Sequence, residues 1–314
     1  MNRRRFIKIT AGAGALALTW RTWYFATRET WALRVTRVDV PVPNLPQAFD
    51  GLKIAHLSDL HVEQHVPPDY VNRALGMVNP LSPDLIALTG DYMSRDWECM
   101  LDIAPALSRL RARYGVFAVL GNHDYYYKRN RHVVPILEDA GIRLLRNASA
   151  LVKEGASALH VVGLDDPVTG HDDIEQALHG VPTGGCRIFL GHCPDVVDDV
   201  RRAGGDVLLA GHTHGGQINL PFIGPPAVPS RYGQRFAAGL VDFEGMPVFV
   251  TRGVGCVQPY LRFRCPPEVA LLTLRKADWP LSSGGPETDL RPEVVRARSG
   301  VSRIRRLIRD LTGR

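Results

Sequence analysis

Lys53-Ile54-Ala55-His56-Leu57-Ser58-Asp59-Leu60-His61 decides how this chain is read: an apolar run ends directly at two side chains of metal-ligand type. Such a run has the pattern of a buried strand that carries Asp59 and His61 at its C-terminal end. Residues i and i+2 of extended backbone project to the same side, so both can aim at one cavity. The pattern recurs downstream. Leu85 to Leu88 runs into Gly90-Asp91, and Val116 to Leu120 into Gly121-Asn122-His123-Asp124. Ile188 to Leu190 then runs into Gly191-His192, and Val207 to Leu209 into Gly211-His212-Thr213-His214. Ligands placed just past strand C-termini are the usual geometry of open α/β sheets.

The chemistry of these blocks is specific. Asp, Asn and His supply the oxygen and imidazole donors that divalent Mn, Fe and Zn accept, and no thiolate is needed. Glycine before several of the donors lets the chain turn tightly and approach a metal. A lone Gly-His-x-His is weak, whereas five ordered blocks mark a two-metal site.

This series resembles the calcineurin-like metallophosphoesterase superfamily, whose blocks run D-x-H, G-D, G-N-H-D/E, G-H and G-H-x-H, across roughly residues 46 to 275. Gly215-Gly216-Gln217-Ile218, after His214, resembles the bacterial membrane-associated phosphodiesterase branch. The resemblance implies an α/β fold, a four-layer α/β/β/α sandwich. It implies one metal on Asp59, His61, Asp91 and His214, and a second on Asp91, Asn122, His192 and His212. Asp91 would bridge two divalent ions (Mn, Fe or Zn, with Mn favoured) that sit ~3.5–4 Å apart in such sites. Water shared by the ions would lose a proton near neutral pH and attack phosphorus in line. His123 is then the candidate to protonate the leaving oxygen. Asp124 is expected to orient that imidazole and raise its basicity, with helix capping or a salt bridge as its competing role.

Asp69 to Met77, Trp97 to Arg113, Arg131 to Ala140, Asp172 to His179 and Asp195 to Arg202 read as helices covering the sheet. Val248 to Thr251 and Val269 to Leu274 are candidates for the second sheet that the resemblance adds. Tyr125, Tyr126 and Tyr127 could contact substrate, although packing is the commoner role of tyrosine. Asp165-Asp166 stands where a site residue or a helix cap would. The Pro-rich Leu220 to Tyr232 stretch reads as a long loop over the cleft. Of five cysteines at least one is unpaired within a monomer. Cys256 and Cys265 are close enough to bridge in an oxidising periplasm, but a packed thiol is the commoner state.

With 314 residues, 45% of them hydrophobic, the chain suits one large domain with extensions. Its net charge of +6 favours an anionic partner, and much of the excess lies at the two ends. Residues 1–45 read as a twin-arginine-like signal or membrane anchor. Asn2-Arg3-Arg4-Arg5-Phe6-Ile7-Lys8 precedes an apolar run from Ile9 to Trp20, and Trp20, Trp23, Tyr24, Phe25 and Trp31 suit a headgroup zone. Arg21 stops the run short of the ~20 residues a span needs. Residues 276–314 read as a linker and a basic amphipathic tail suited to an anionic membrane, with packing on its own domain or a solvated tail as the alternatives.

The expected function is hydrolysis of a phosphodiester or pyrophosphate bond in a lipid-linked or envelope substrate. The resembling group includes enzymes that cleave UDP-2,3-diacylglucosamine. A generic exported phosphodiesterase, a nuclease and a non-catalytic metal-binding module are the alternatives. No nucleic acid partner is expected, because no duplex-binding module is present. The expected location is membrane-associated, on the periplasmic or envelope side, with the cytoplasmic face of the inner membrane as the other placement.

Overall fold

The computed structural model describes residues 27–277. Two six-stranded sheets face each other across a buried layer. The first holds β1 (Arg34–Pro41), β2 (Lys53–Leu57), β3 (Leu85–Thr89), β4 (Val116–Val119), β5 (Arg143–Leu144) and β12 (Glu268–Arg275), in the order β1-β12-β2-β3-β4-β5. The second holds β6 (Ala148–Glu154), β7 (Ser157–Gly163), β8 (Cys186–Leu190), β9 (Val207–Ala210), β10 (Gly239–Phe243) and β11 (Met246–Val250), in the order β10-β11-β9-β8-β7-β6. β2, β3 and β4 pair in parallel, as do β7, β8 and β9. Parallel neighbours need crossovers. Helices α1 (Pro68–Gly76), α2 (Cys99–Leu107) and α3 (Asn130–Asp139) provide them in the first sheet, and α4 (Val197–Arg202) links β8 to β9.

The side-chain alternation of the strands divides the core. Leu85 and Ala87 of β3 enter the layer between the sheets, while Ile86 and Leu88 pack with α1 and α2 on the outer side. In β8 and β9, Ile188 and Leu209 point inward, and Phe189 and Leu208 pack with Val197 and Val200 of α4. The result is helix, sheet, sheet, helix, the four-layer α/β/β/α arrangement expected. Burial on both faces explains why Leu85 to Leu88 of β3 and Ile188 to Leu190 of β8 are continuous apolar runs. α1 buries Tyr70, Val71, Ala74 and Leu75, a helical stripe, and begins with proline at its first position, where no N–H is missed.

Several expectations need correction. Val269 to Leu274 belongs to the first sheet, because β12 inserts between β1 and β2, parallel to β1 and antiparallel to β2. β1 lies inside residues 1–45 yet pairs with β12 from Arg34↔Glu268 to Pro41↔Arg275, so the folded body extends upstream of residue 46. Trp31 packs edge-on against Tyr70 at 5.0 Å between ring centroids, so it docks on the domain. The Trp97 to Arg113 helix is shorter, since the Asn79 amide takes over Arg109 O (2.7 Å) and Arg111 N (2.9 Å) and ends helical pairing there. Asp172 to His179 contracts to a single turn, Ile174–Ala177, capped by Asp173. The twin-arginine-like segment, the Ser/Gly linker and the basic tail lie outside the described residues. Among the described residues no helix is long and apolar enough to cross a membrane.

Candidate metal centre

The C-terminal ends of β2, β3 and β4 and those of β8 and β9 open onto one space. The first sheet brings Asp59, His61, Asp91 and Asn122, and the second brings His192, His212 and His214. All are buried except the half-buried His212. Their donor atoms form overlapping groups within 4.8 Å: Asp59 with His61 and His214, His61 with Asp91 and His123, and Asp91 with His192 and His212. Asn122 joins through Oδ1, 3.1 Å from His192 Nε2. Asp91 is central, its Oδ2 lying 3.4 Å from His61 Nε2 and 3.2 Å from His192 Nε2.

The backbone is bent to achieve this. Asp59, His61, Asp91, His212 and His214 all have positive φ, between 47° and 71°. That region costs non-glycine residues about 1 kcal/mol or more each, and persists where the surroundings enforce it. Here Asp59 N donates to Gly90 O (2.9 Å), His61 N to Asp91 O (3.0 Å) and Gly211 N to His192 O (2.9 Å). His212 N donates to the Asp59 carboxylate at 3.1 Å. Glycine is required at two close approaches: a Cβ on Gly121 would strike the Asp91 carboxylate, and one on Gly211 would strike Ser58 and Asp59.

The rings are oriented as metal ligands need. His192 Nδ1 lies 2.7 Å from Thr89 O, which fixes the proton there and turns the Nε2 lone pair into the cavity. His61 Nδ1 pairs with Ser94 Oγ at 3.0 Å and leaves its Nε2 facing His214 Nε2 at 3.1 Å. Across the site, His212 Nδ1 faces His192 Nε2 at 3.2 Å. Facing imidazole nitrogens and two buried carboxylates, with no Lys or Arg ion-paired to either carboxylate among the described residues, make a cavity that fits divalent cations. Burial, and then the Arg262 cation, hold the His214 imidazole well below its ordinary pKa, in the neutral form that binds metal. Burial opposes the charge of Asp91, yet the imidazoles of His192, His61 and His123 hold its carboxyl well below the usual range.

Residues 52–216 match the family model described as calcineurin-like phosphoesterase. The chain belongs to that family. It is 32% identical over 281 residues to the phosphodiesterase YaeI of Escherichia coli, covering 87% of this chain and 99% of that protein. It is 30% identical over 284 residues to the uncharacterized metallophosphoesterase YkuE of Bacillus subtilis, covering 88% and 99%. The UDP-2,3-diacylglucosamine pyrophosphatase LpxG of Chlamydia trachomatis is 29% identical over 310 residues, covering 80% and 92%. This member of the family is therefore a phosphoester-hydrolysing enzyme, and its clustered Asp and His side chains suit divalent metal ions.

Asp124 does not orient His123. Its carboxylate accepts the backbone N–H of Asp91 (2.9 Å), Tyr92 (3.0 Å) and Gly121 (2.9 Å), so it caps the turn at Asn122–Tyr125 and clamps the β3 and β4 loops together. This is the capping alternative, extended to a second loop. Asp124→Ala frees three buried N–H groups, and metal affinity is expected to fall about 10–100-fold. Metal titration checks this, and an unchanged affinity would show that the clamp is dispensable.

Other residues settle as follows. Tyr125 stacks on His171 and donates to Asp165 (2.6 Å), which also accepts from Arg146 (3.0 Å). Asp166 accepts from Thr169 N (2.8 Å) and serves its own loop. Tyr126 OH accepts from Asn122 Nδ2 at 3.1 Å and reaches the cleft beside His123. The 220–232 loop contributes no lining residue to that cleft, because it folds on itself through paired Leu220–Gly224 hydrogen bonds. All five cysteines are free, and Cys265 Sγ instead approaches His214 O at 3.2 Å. Sequence reasoning missed Arg262, which is fully buried and donates to the carbonyls of Arg252 (2.7 Å), Gly255 (2.5 Å) and Cys265 (3.2 Å). Nothing in its local sequence distinguishes it from a surface arginine. Ser94, beside His61, was equally silent.

Proposed function

We propose that this enzyme hydrolyses a phosphodiester or pyrophosphate bond in a lipid-linked or envelope substrate, with UDP-2,3-diacylglucosamine as the leading candidate. The observation that carries the reading is the pair of donor groups on either side of Asp91, one with Asp59, His61 and His214 and the other with His192 and His212. Similarity to LpxG and YaeI along most of the chain supports the bond type. Two divalent ions, manganese favoured, would be held by those residues with Asn122. When bound they neutralise phosphoryl oxygens and make water nucleophilic near neutral pH.

The chain's own groups do the rest. Asp91 has two carboxylate oxygens and lies between both donor groups, which suits it to bridge. His123 donates its backbone N–H to Asp91 Oδ1 at 2.8 Å, and its ring sits 4.7 Å from that of His61 at the edge of the cleft. From there it can protonate the leaving oxygen. In this reading the residues ahead of the folded body bring it to the membrane and the basic 276–314 stretch meets an anionic surface; UDP-2,3-diacylglucosamine as substrate goes with the cytoplasmic face of the inner membrane, and another envelope phosphodiester with the periplasmic side.

The test offers purified full-length protein with Mn²⁺ in detergent micelles UDP-2,3-diacylglucosamine, a generic phosphodiester and a phosphomonoester. UMP release far above generic cleavage supports the reading, and diester cleavage without UMP release moves the substrate to another envelope phosphodiester. In the same assay His123→Ala is expected to keep its metals and lose about 10²–10⁴-fold in turnover. Loss of metal from that variant would overturn the proton-donor role.

A further inference from the structure

We infer that the cleft beside His123 holds the nucleoside phosphate half of the substrate, an inference that rests on the phosphoesterase reading of the metal centre. The cleft has a volume of about 600 Å³, within the ~300–1,000 Å³ of small-molecule sites. Two of its lining residues are cations, Arg95 and Arg129. A neutral alcohol has no use for them, whereas a phosphate-bearing half carries negative charge that a guanidinium fork matches. Arg129 is held with its guanidinium carbon 4.7 Å from the centre of the Tyr127 ring.

Aromatic faces accompany the charge. Tyr126, Tyr127 and Tyr260 line the same cleft. Tyr127 is 87% exposed, and Tyr260 is stacked on His65 at 4.2 Å with 4° between the planes. Planar rings of this kind accept a nucleobase without reading its identity. The most telling residue is Glu63, which is 3% exposed and lines the cleft, yet its Oε1 has no hydrogen-bond partner. Buried carboxylate oxygens are rarely left this way, because the missing bond is costly. Oε1 is itself out of solvent's reach, so a ribose hydroxyl or a base N–H of the ligand would meet it once the Glu63 side chain turns into the cleft it lines. Asp96 in the same wall offers a further acceptor. An acyl chain would meet charged groups here, so the lipid half must lie elsewhere.

Calorimetric titration of the Mn²⁺-loaded full chain with UMP, uridine and inorganic phosphate tests the inference. Wild type is expected to bind UMP at least about tenfold more tightly than phosphate, and the Arg95→Ala/Arg129→Ala variant to lose that advantage. Glu63→Gln should weaken UMP and uridine together. Arg113→Ala, an exposed arginine paired with Glu154, serves as the control and should bind UMP as wild type does. UMP binding no tighter than phosphate, or unaffected by loss of both cleft arginines in a variant with unchanged thermal unfolding, overturns the inference. The outcomes separate from those of the lipid assay. Arginine-dependent UMP binding without UMP release from the lipid keeps the cleft and removes that substrate; release with arginine-independent UMP binding does the reverse.

Discussion

Asp91→Asn is expected to reduce kcat/KM on any phosphoester by a factor on the order of 10³, about 4 kcal/mol of transition-state stabilisation. The substitution keeps the shape and removes the charge from the one carboxylate that two donor groups share. It also weakens the acceptor of the His123 N–H at 2.8 Å, so His123, the proposed proton donor, is expected to shift with it. Removing Asn122, which approaches one side of the site through His192, should cost less. Steady-state kinetics with metal counting by mass spectrometry check the order: Asp91→Asn is expected to retain fewer than two ions. Equal losses for Asp91→Asn and Asn122→Ala would mean that Asp91 does not bridge.

Arg262→Ala is expected to be the most destabilising single substitution in the described residues outside the ligands, at about 3–5 kcal/mol. The side chain is fully buried, and its guanidinium joins the segment 252–255 to the His214 and Cys265 loops through their carbonyls. Truncation strands those acceptors away from water and leaves a cavity. Lysine cannot replace the fork, because a single ammonium cannot reach carbonyls spread around a planar group. At ~2–4 °C per kcal/mol for a domain of this size, the midpoint of thermal unfolding should fall by roughly 10 °C. The variant should also lose the neutralising influence on His214, so its metal affinity should fall with its stability. A midpoint within a degree or two of wild type for both Arg262→Ala and Arg262→Lys would remove the role.

The donors were readable because each follows a strand and because ligand chemistry restricts residue type. Asp59 and His61 sit two apart after an apolar run, and that local signal survives folding unchanged. The Asp124 assignment failed for a physical reason. A carboxylate next to a histidine in sequence has the right composition for a dyad, but in a tight turn its side chain points back at the backbone N–H groups of Gly121 and Asp91. Sequence adjacency does not specify direction there. The placement of β12 was equally hidden, since its alternation is satisfied by either sheet and pairing partners 234 residues apart in β1 and β12 leave no mark on local pattern.

The sequence by itself determined the chemistry of this protein: the donor types, their order, the strand-then-ligand rhythm and the α/β class all follow from residue identity and short-range spacing. Tertiary structure alone decided which loops meet. Two sheets must pack face to face before Asp91 from one can lie 3.2 Å from His192 of the other, and only that packing sets Glu63 in the wall of a cleft and buries Arg262 among carbonyls. The reason is the range of the interactions. Propensity and alternation act over a few residues, whereas burial, charge and hydrogen-bond satisfaction are settled between groups far apart in the chain.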